Sequence, residues 1–383
     1  MDSAADSGPC VLQVLPALQS GGVERGTIEI TEAISRAGGR AIVASEGGKL
    51  EAMVRRAGGS HVTLPLASKN PAVIWANSRR LAGLIAREGV DIVHARSRAP
   101  AWSAWLACRG GGAHFITTWH GSYSENLPLK RRYNDVMARG ERVIAISQHI
   151  AAQISARHHV PAARLRVIPR GVDPAVFDPA RVGGDRLIRL TRSWRLPDDQ
   201  AVVLLAGRLT RWKGQTVAIE ALALMQRRDV CLILAGDDQG RTAYVREVMR
   251  LAVERGVGDR VRLVGDCADM PAALLLADIA LNVSTEPEGF GRTVIEAQAM
   301  ARPLIATDHG GAAETVADEA TGFLIPPANP QALAAALDHV LSLPPARREV
   351  IGAAARASVC ADYTVAAMQR ATLDVYNEVL ADG

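Results

Sequence analysis

Two carboxylates, Glu288 and Glu296, stand eight positions apart in the segment Thr285-Glu286-Pro287-Glu288-Gly289-Phe290-Gly291-Arg292-Thr293-Val294-Ile295-Glu296-Ala297. The apolar run Ile279–Val283 before it reads as a buried strand, and a helical pattern after Gly291 runs to Met300. A strand, a glycine-bearing loop and a helix in that order leave unpaired backbone N–H groups at the helix start, and these bind anions. Gly289 and Gly291 let a ligand come close to the backbone. Eight helical steps span roughly 12 Å, an upper bound because part of the path is loop. Carboxylates flanking an amide-lined anion site suit a ligand with hydroxyls at both ends and phosphate in the middle. A nucleotide sugar has that layout. The plainer alternative is a Rossmann-like loop with two solvated glutamates.

Arg208 and Lys213 follow another apolar run, Ala201–Ala206. A forked guanidinium and a compact ammonium five residues apart are complementary tools for a diphosphate. A solvated basic turn is the alternative. Ser20-Gly21-Gly22 follows the first strand candidate and opens a helix; glycine there clears the way to the helix N-terminus, or simply makes a tight turn. The dinucleotide fingerprint G-x-G-x-x-G is absent, and Gly207…Lys213-Gly214 is not a Walker A loop. No D-x-D pair and no metal-binding arrangement of the H-E-x-x-H kind occurs, so the expectation is chemistry with no cofactor and no required metal. Basic side chains and helix dipoles would then take the charge that a divalent cation takes elsewhere.

The elements that must position these groups come from an ordinary globular chain. It has 383 residues, 48% of them hydrophobic, which suggests two domains with ample cores. No run of 18 apolar residues predicts a membrane span. The start, Met1-Asp2-Ser3-Ala4-Ala5-Asp6, lacks the basic residues of a signal peptide. Cys10, Cys108, Cys231, Cys267 and Cys360 are scattered and odd in number, which reads as reduced thiols in the cytoplasm. Charge is uneven: residues 1–180 hold 22 Lys/Arg against 14 Asp/Glu, and residues 181–383 hold 22 against 26.

Short apolar runs alternate with amphipathic segments along both halves. Strands are expected at Val11–Leu15, Ala41–Ala44, His61–Leu64, Asp91–Ala95, His114–Thr118, Arg142–Ile146 and Arg166–Ile168. After a Pro-, Gly-, Arg- and Asp-rich stretch from Asp178 to Gln200, read as a linker, come Ala201–Ala206, Cys231–Ala235, Val261–Val264, Ile279–Val283, Leu304–Ala306 and Phe323–Ile325. The rhythm predicts an α/β protein with two parallel, helix-covered sheets. Ligands of such folds bind at the carboxyl ends of the strands, and the cleft between two such domains is the expected site.

Four features in order carry a resemblance over nearly the whole chain: Gly21-Gly22-Val23-Glu24, Gly207-Arg208-Leu209 with Lys213-Gly214, the Glu288 and Glu296 pair around Glu-Gly-Phe-Gly, and Gly310-Gly311 with Glu314. In these the chain resembles the retaining glycosyltransferases of family 4. The resemblance implies the GT-B fold: an N-terminal Rossmann-like acceptor domain over 1–180, a C-terminal nucleotide-sugar domain over 181–361, and a final helix within 362–383 packing back on the first domain. It implies transfer of a hexose from a nucleoside diphosphate sugar to an acceptor hydroxyl. Glu288 would then face the transferred sugar and Glu296 the ribose, while Arg208 and Lys213 neutralise the leaving diphosphate. The backbone at Gly289, Phe290, Gly291, Arg292 and Thr293 would face sugar and phosphates, and Gly22 would meet the donor phosphate or sugar. Gly265 and Cys267, at a strand end, lie where the family's backbone reads the base. His120, in Thr117-Thr118-Trp119-His120-Gly121, matches a family histidine beside the donor sugar. His94 matches a family segment but is read as structural, and His158-His159 as a solvated helix cap. The Gly310-Gly311 loop is read as structural too.

Two departures stand out. Relatives carry apolar residues where this chain has Arg292-Thr293, and Asn where it has Arg170 in Ile168-Pro169-Arg170-Gly171-Val172-Asp173. Thr293 offers phosphate a hydroxyl; Arg292 faces ligand or solvent; Arg170 puts a cation near the cleft floor, toward an anionic acceptor or a local salt bridge. Lys130-Arg131-Arg132 after Pro128 could begin a helix with Leu129, Tyr133, Val136 and Met137 on one side. Such a helix lies on an anionic membrane, or is an ordinary half-buried helix with solvated cations. The expected partners are a nucleotide sugar and a sugar or lipid-linked glycan acceptor, with lipopolysaccharide or related glycan synthesis as the setting and no nucleic acid. The alternatives are a phosphorylase, a nucleotide-sugar epimerase, a non-catalytic nucleotide-sugar-binding subunit and an NAD-dependent enzyme.

Overall fold

The computed structural model describes residues 8–19 and 21–382, so the first seven residues, Ser20 and Gly383 lie outside the described residues. The chain forms two compact units, residues 1–170 with 365–383, and residues 171–364. The unit boundary at 170/171 falls ten residues before the expected one.

The first unit contains β1 (Cys10–Val14), β2 (Arg40–Ser45), β3 (Ser60–Thr63), β4 (Ile92–Ala95), β5 (His114–Trp119), β6 (Arg142–Ala145) and β7 (Leu165–Val167). They make one parallel sheet in the order β3-β2-β1-β4-β5-β6-β7. The order reverses at β1, so the C-terminal ends of β1 and β4 flank a switch point of the kind that accepts ligands. The final helix, Val365–Ala381, packs in this unit: Met368, Val375, Tyr376 and Val379 join Val11, Ile30, Ile34 and Ile116 in one core. Glu378 of that helix pairs with Arg142 at 3.0 Å and Arg166 at 2.7 Å.

The second unit contains β8 (Ala201–Ala206), β9 (Val230–Ala235), β10 (Val261–Gly265), β11 (Ile279–Asn282), β12 (Leu304–Thr307) and β13 (Phe323–Ile325). These form a parallel sheet in the order β10-β9-β8-β11-β12-β13, again reversing at its first strand. Every residue of β9, β11 and β12 is buried, as expected of strands covered on both faces.

The expected linker is not a linker throughout. Gly184–Trp194 is a helix of the second unit, held by Arg186, whose guanidinium grips Asp269 at 2.5 and 2.8 Å. Asp269 in turn caps the helix Met270–Leu276 through Ala272 N. Its dense Arg, Asp and Gly content hid an amphipathic pattern.

Candidate active site

In the second unit the site begins where β11 ends. Gly291 is the N-cap of the helix Arg292–Ala299, at φ 86°, and no side chain caps that helix. A Cβ on Gly291 would stand 2.8 Å from the Ala312 Cβ, so both the left-handed φ and the space require glycine. The uncapped first turn leaves its amides to a ligand. Phe290 is buried and packs on Tyr363, with ring centroids 5.9 Å apart, so only its backbone is left for ligand.

Lys213 reaches the same loop. Thr285 N donates to Trp212 O at 2.7 Å, which stitches the Arg211–Lys213 turn to the segment after β11. Gly214, at φ 77°, makes room: a Cβ there would sit 2.0 Å from Val283 O. Lys213 Nζ is then 2.6 Å from Glu288 Oε1, with side chains 13% and 8% exposed. Ser284 Oγ donates to the same oxygen at 2.5 Å. Burial alone would raise the Glu288 carboxyl. The Lys213 ammonium, with hydrogen bonds from Lys213, Ser284 and Asn282, outweighs it and holds the group below its ordinary range. Its backbone is fixed by the Gly310-Gly311 turn: Gly311 N donates to Glu288 O at 2.8 Å, and a Cβ on Gly310 would meet Glu288 N at 2.7 Å.

The remaining second-unit candidates spread along these elements. Glu296 is buried, one turn after Arg292, whose Nε is 3.8 Å from Glu296 Oε1. The Arg292 side chain is 18% exposed and approaches the second carboxylate, so it is not a freely solvated cation. Thr293 Oγ1 accepts from Asn282 Nδ2 at 2.9 Å. Arg208 is exposed, and among the described residues its side chain has no ion-pair partner; its carbonyl takes Gln215 Nε2 at 3.0 Å. Gly265 ends β10 at φ 72° and its carbonyl accepts from Gly236 N at 2.7 Å. Cys267 is half-buried, and burial pushes its thiol up.

In the first unit Gly22 opens the helix Gly22–Arg36, whose N-cap Gly21 has φ 141° and no capping side chain. His120 follows β5. Arg170 Nη2 lies 2.6 Å from His120 Nδ1. A guanidinium only donates, so Nδ1 is the acceptor and the ring hydrogen sits on Nε2. That Nε2 is buried with no hydrogen-bond partner. Burial, followed by Arg170, Arg96 and His94, holds the imidazole well below its ordinary range, hence neutral at pH 7. Gly26 admits the cation: a Cβ there would stand 2.6 Å from Arg170 Nη1.

Three expectations are corrected here. Arg170 is 5% exposed and contacts His120 and Met368 Sδ in the space left by Gly26, so it offers no surface cation to a membrane. His158 is not a solvated cap: its side chain is 1% exposed and lies between Asp135 at 2.6 Å and Glu125 at 2.8 Å. The basic segment forms only a seven-residue helix, Pro128–Asn134. Its expected apolar stripe is split, with Leu129 80% exposed while Val136 and Met137 are fully buried. The Met137 carbonyl accepts from Thr117 Oγ1 and Trp119 Nε1 near the C-terminal end of β5. His94 is structural as read, bonded to Tyr376 Oη at 2.7 Å and Thr118 Oγ1 at 2.6 Å.

Two family models match in tandem: Glycosyltransferase Family 4 over residues 20–176 and Glycosyl transferases group 1 over residues 189–357. A solved glycosyltransferase from Rickettsia africae is 36% identical, with a TM-score of 0.91 over 98% of this chain and 99% of that one. The chain belongs to the group 1 glycosyltransferases of family 4. The glycosyltransferase is also 28% identical to the D-inositol 3-phosphate glycosyltransferase of Salinispora tropica over 333 residues, 79% of this chain and 68% of that one. Anabaena HepE in complex with UDP and glucose shares the fold, with a TM-score of 0.85 and 22% identity over 97% of this chain and all of the other.

Sequence reading of this glycosyltransferase missed the groups that tune the named ones. Asn282 falls inside the run read as a buried strand, Ser284 stands two residues after Asn282, and neither is singled out. Arg96, 2% exposed, donates through Nε to Gln13 Oε1 at 2.7 Å. Its signal was present: an arginine directly after the buried run Ile92–Ala95 must either leave the core or find buried partners. No cluster of three His, Cys, Asp or Glu side chains suited to a metal ion occurs among the described residues.

Proposed function

We propose that this glycosyltransferase moves a hexose from a nucleoside diphosphate sugar to an acceptor hydroxyl with retention at the anomeric carbon. The observation that carries the reading is the buried Lys213–Glu288 pair beside the uncapped start of the Arg292–Ala299 helix. One group is suited to phosphate, the other to sugar hydroxyls, and the positive end of the helix suits a second phosphate edge. HepE, seen with UDP and with UDP-glucose, lends support through a shared fold.

In this reading Arg208, Lys213 and the helix start stabilise the departing diphosphate, without a required metal. Glu288 orients the transferred sugar and strengthens its hold as positive charge develops at the anomeric carbon. Glu296, with Arg292 beside it, takes the ribose hydroxyls. In the first unit the Nε2–H of His120 donates to the sugar, and the Gly22 helix start faces phosphate. A donor phosphate oxygen takes the acceptor proton on the face that the leaving group vacates. The acceptor is a sugar or lipid-linked glycan of the cell surface, lipopolysaccharide or a related polymer, and the enzyme works in the cytoplasm at the inner face of the membrane.

Incubation with labelled UDP-glucose, UDP-galactose, GDP-mannose and ADP-glucose tests the reading. Release of nucleoside diphosphate from one donor, with an α-linked product from an α-linked donor, is the expected result. An isomerised donor, or tight binding of a donor with no turnover, would overturn it. EDTA should change the rate less than about twofold; loss of activity in EDTA restored by magnesium would overturn the metal-free part.

A further inference from the structure

We propose that Ser284, assisted by Asn282, is a positioning residue that keeps Glu288 ionised and aimed while Lys213 turns from the carboxylate to the donor diphosphate. The proposal rests on the roles given above to Glu288 and Lys213. Glu288 Oε1 accepts from Lys213 Nζ and Ser284 Oγ at once, at 2.6 and 2.5 Å. Lys213 cannot serve the carboxylate and a diphosphate equally, because two phosphates offer it more negative charge than one carboxylate does. If it turns away, a side chain that is 8% exposed loses its charged partner. An uncompensated buried carboxylate is costly and takes up a proton. Something that does not itself bind the donor has to hold it.

Ser284 is built for that. It is 1% exposed, and its carbonyl is clamped by Thr307 Oγ1 at 3.0 Å and His309 Nε2 at 2.8 Å. The hydroxyl therefore stays under Glu288 whatever Lys213 does. Asn282 and Ser284 continue the two-residue alternation of β11, so both project to one side while Val283, 1% exposed, packs into the hydrophobic core on the other. Asn282 Nδ2 holds Thr293 Oγ1 in the first turn of the anion-facing helix. The amide of Asn282 also contributes to the low position of the carboxyl. One strand end thus sets both the carboxylate and the helix start. The charged or titratable groups around Glu288 are Lys213 from the turn after β8, His309 from the turn after β12, and Glu286 and Arg292 on its own segment.

The decisive measurement needs no donor. In the full chain with ¹³C-labelled glutamate carboxyls, the Glu288 signal is assigned by its loss in Glu288→Gln and followed with pH. Removing a hydrogen bond to the charged form raises a carboxyl pKa. Ser284→Ala should move the Glu288 midpoint up by about one pH unit, and Ser284→Thr should bring it back. Asn282→Asp places a like charge beside it and should move it further. Lys213→Ala imitates the ammonium having turned away; the midpoint in Lys213→Ala with Ser284→Ala should lie at least about one unit above that in Lys213→Ala alone.

With the nucleotide sugar that turns over, Ser284→Ala should lower kcat roughly 10- to 100-fold. The donor KM should change little, and the acid limb of kcat should rise with the NMR midpoint. An unmoved Glu288 midpoint in Ser284→Ala and Asn282→Asp, or a fall in kcat with an unmoved acid limb, would mean that Ser284 only packs, and overturns the proposal. Full activity in Glu288→Gln would instead sink the parent reading of Glu288.

Discussion

The two units each bury a cation against a titratable group at a strand end, with opposite results. In the second unit Lys213 faces a carboxylate and makes its charged form the stable one. In the first unit Arg170 faces an imidazole and, with burial, makes the neutral form the stable one. One pair is close to neutral overall and can part when a stronger anion arrives. The other keeps its positive charge on the guanidinium and leaves the imidazole as an uncharged donor with a fixed tautomer. A basic residue beside a polar strand end therefore does not say what the site holds; its partner does. Glycines decide the geometry in both: Gly214 and Gly310 close the carboxylate loop, and Gly26 opens a space for the guanidinium.

The comparison can be broken most forcefully at Glu288. Glu288→Ala should cost on the order of 10³-fold in kcat while donor affinity changes several-fold at most, because the carboxylate matters most when charge develops. Glu296→Ala should raise the donor KM and spare kcat, as loss of uniform binding does. Steady-state kinetics of both variants check this, and the reverse pattern would exchange their roles.

Lys213 and Arg208 separate next. Each, changed to Ala, should lower kcat by on the order of 10²-fold. Only Lys213→Ala should also lower the melting temperature at pH 7, since it strands a buried carboxylate, whereas Arg208 is exposed without an ion-pair partner among the described residues. Glu288 is depressed in the folded state, so the stabilisation is full above the unfolded carboxyl value of about 4.3 and is lost as pH falls through the lower folded value. Melting curves of wild type and Lys213→Ala should converge in that acid window. A constant gap down to strong acid would mean that the lysine stabilises by packing alone.

In the first unit Arg170→Met should release the tautomer and raise the His120 titration toward the ordinary imidazole range, since Arg170 is one of the positive charges that depress it. The cost in kcat/KM should be about tenfold, the scale of one hydrogen bond involving a charged group. Nitrogen NMR of the ring distinguishes Nε2–H from Nδ1–H. A ring unchanged in tautomer and titration would detach Arg170 from the site.

How much of this was written in the sequence differs by level. Most of the thirteen strands are legible because buried parallel strands are short apolar runs, and Ile279–Asn282 or Val230–Ala235 can hardly be read otherwise, whereas the edge strands β3 and β7, with no buried residue, are legible only from their place in the rhythm. The helix Arg98–Cys108 is not, because Pro100 in its first turn and an alanine-rich face blur its period. The glycine loop and its two glutamates are legible from local spacing. Their partners are not: Lys213 and Glu288 meet across 75 positions, and Arg170 and His120 across 50. Sequence pattern reports neighbours on one element, whereas pairing across a sheet end depends on where loops of different strands converge.

The smallest effect concerns the basic segment. Lys130, Arg131 and Arg132 are exposed, and Leu127 and Leu129 beside them are 55% and 80% exposed. Their cations are partly engaged: Lys130 Nζ donates to Asn126 Oδ1 at 2.8 Å and Arg131 to the Arg157 carbonyl. A seven-residue helix with two exposed leucines at its start cannot lie in a headgroup layer as a long amphipathic helix does. It can still touch an anionic surface, at about 1 kcal/mol for each basic residue near it. Three such residues give weak, reversible adsorption that falls within a Debye length and with added salt. No helix among the described residues is long and apolar enough to cross a membrane, so adsorption would depend on such contacts. In vesicle sedimentation, binding should appear with anionic lipid at low salt, weaken at 0.5 M salt and be absent with neutral lipid. Changing Lys130, Arg131 and Arg132 together to Ser should remove most of it and leave donor hydrolysis within about twofold. Equal recovery in the supernatant with both lipids at low salt would end the membrane assignment and favour a soluble acceptor.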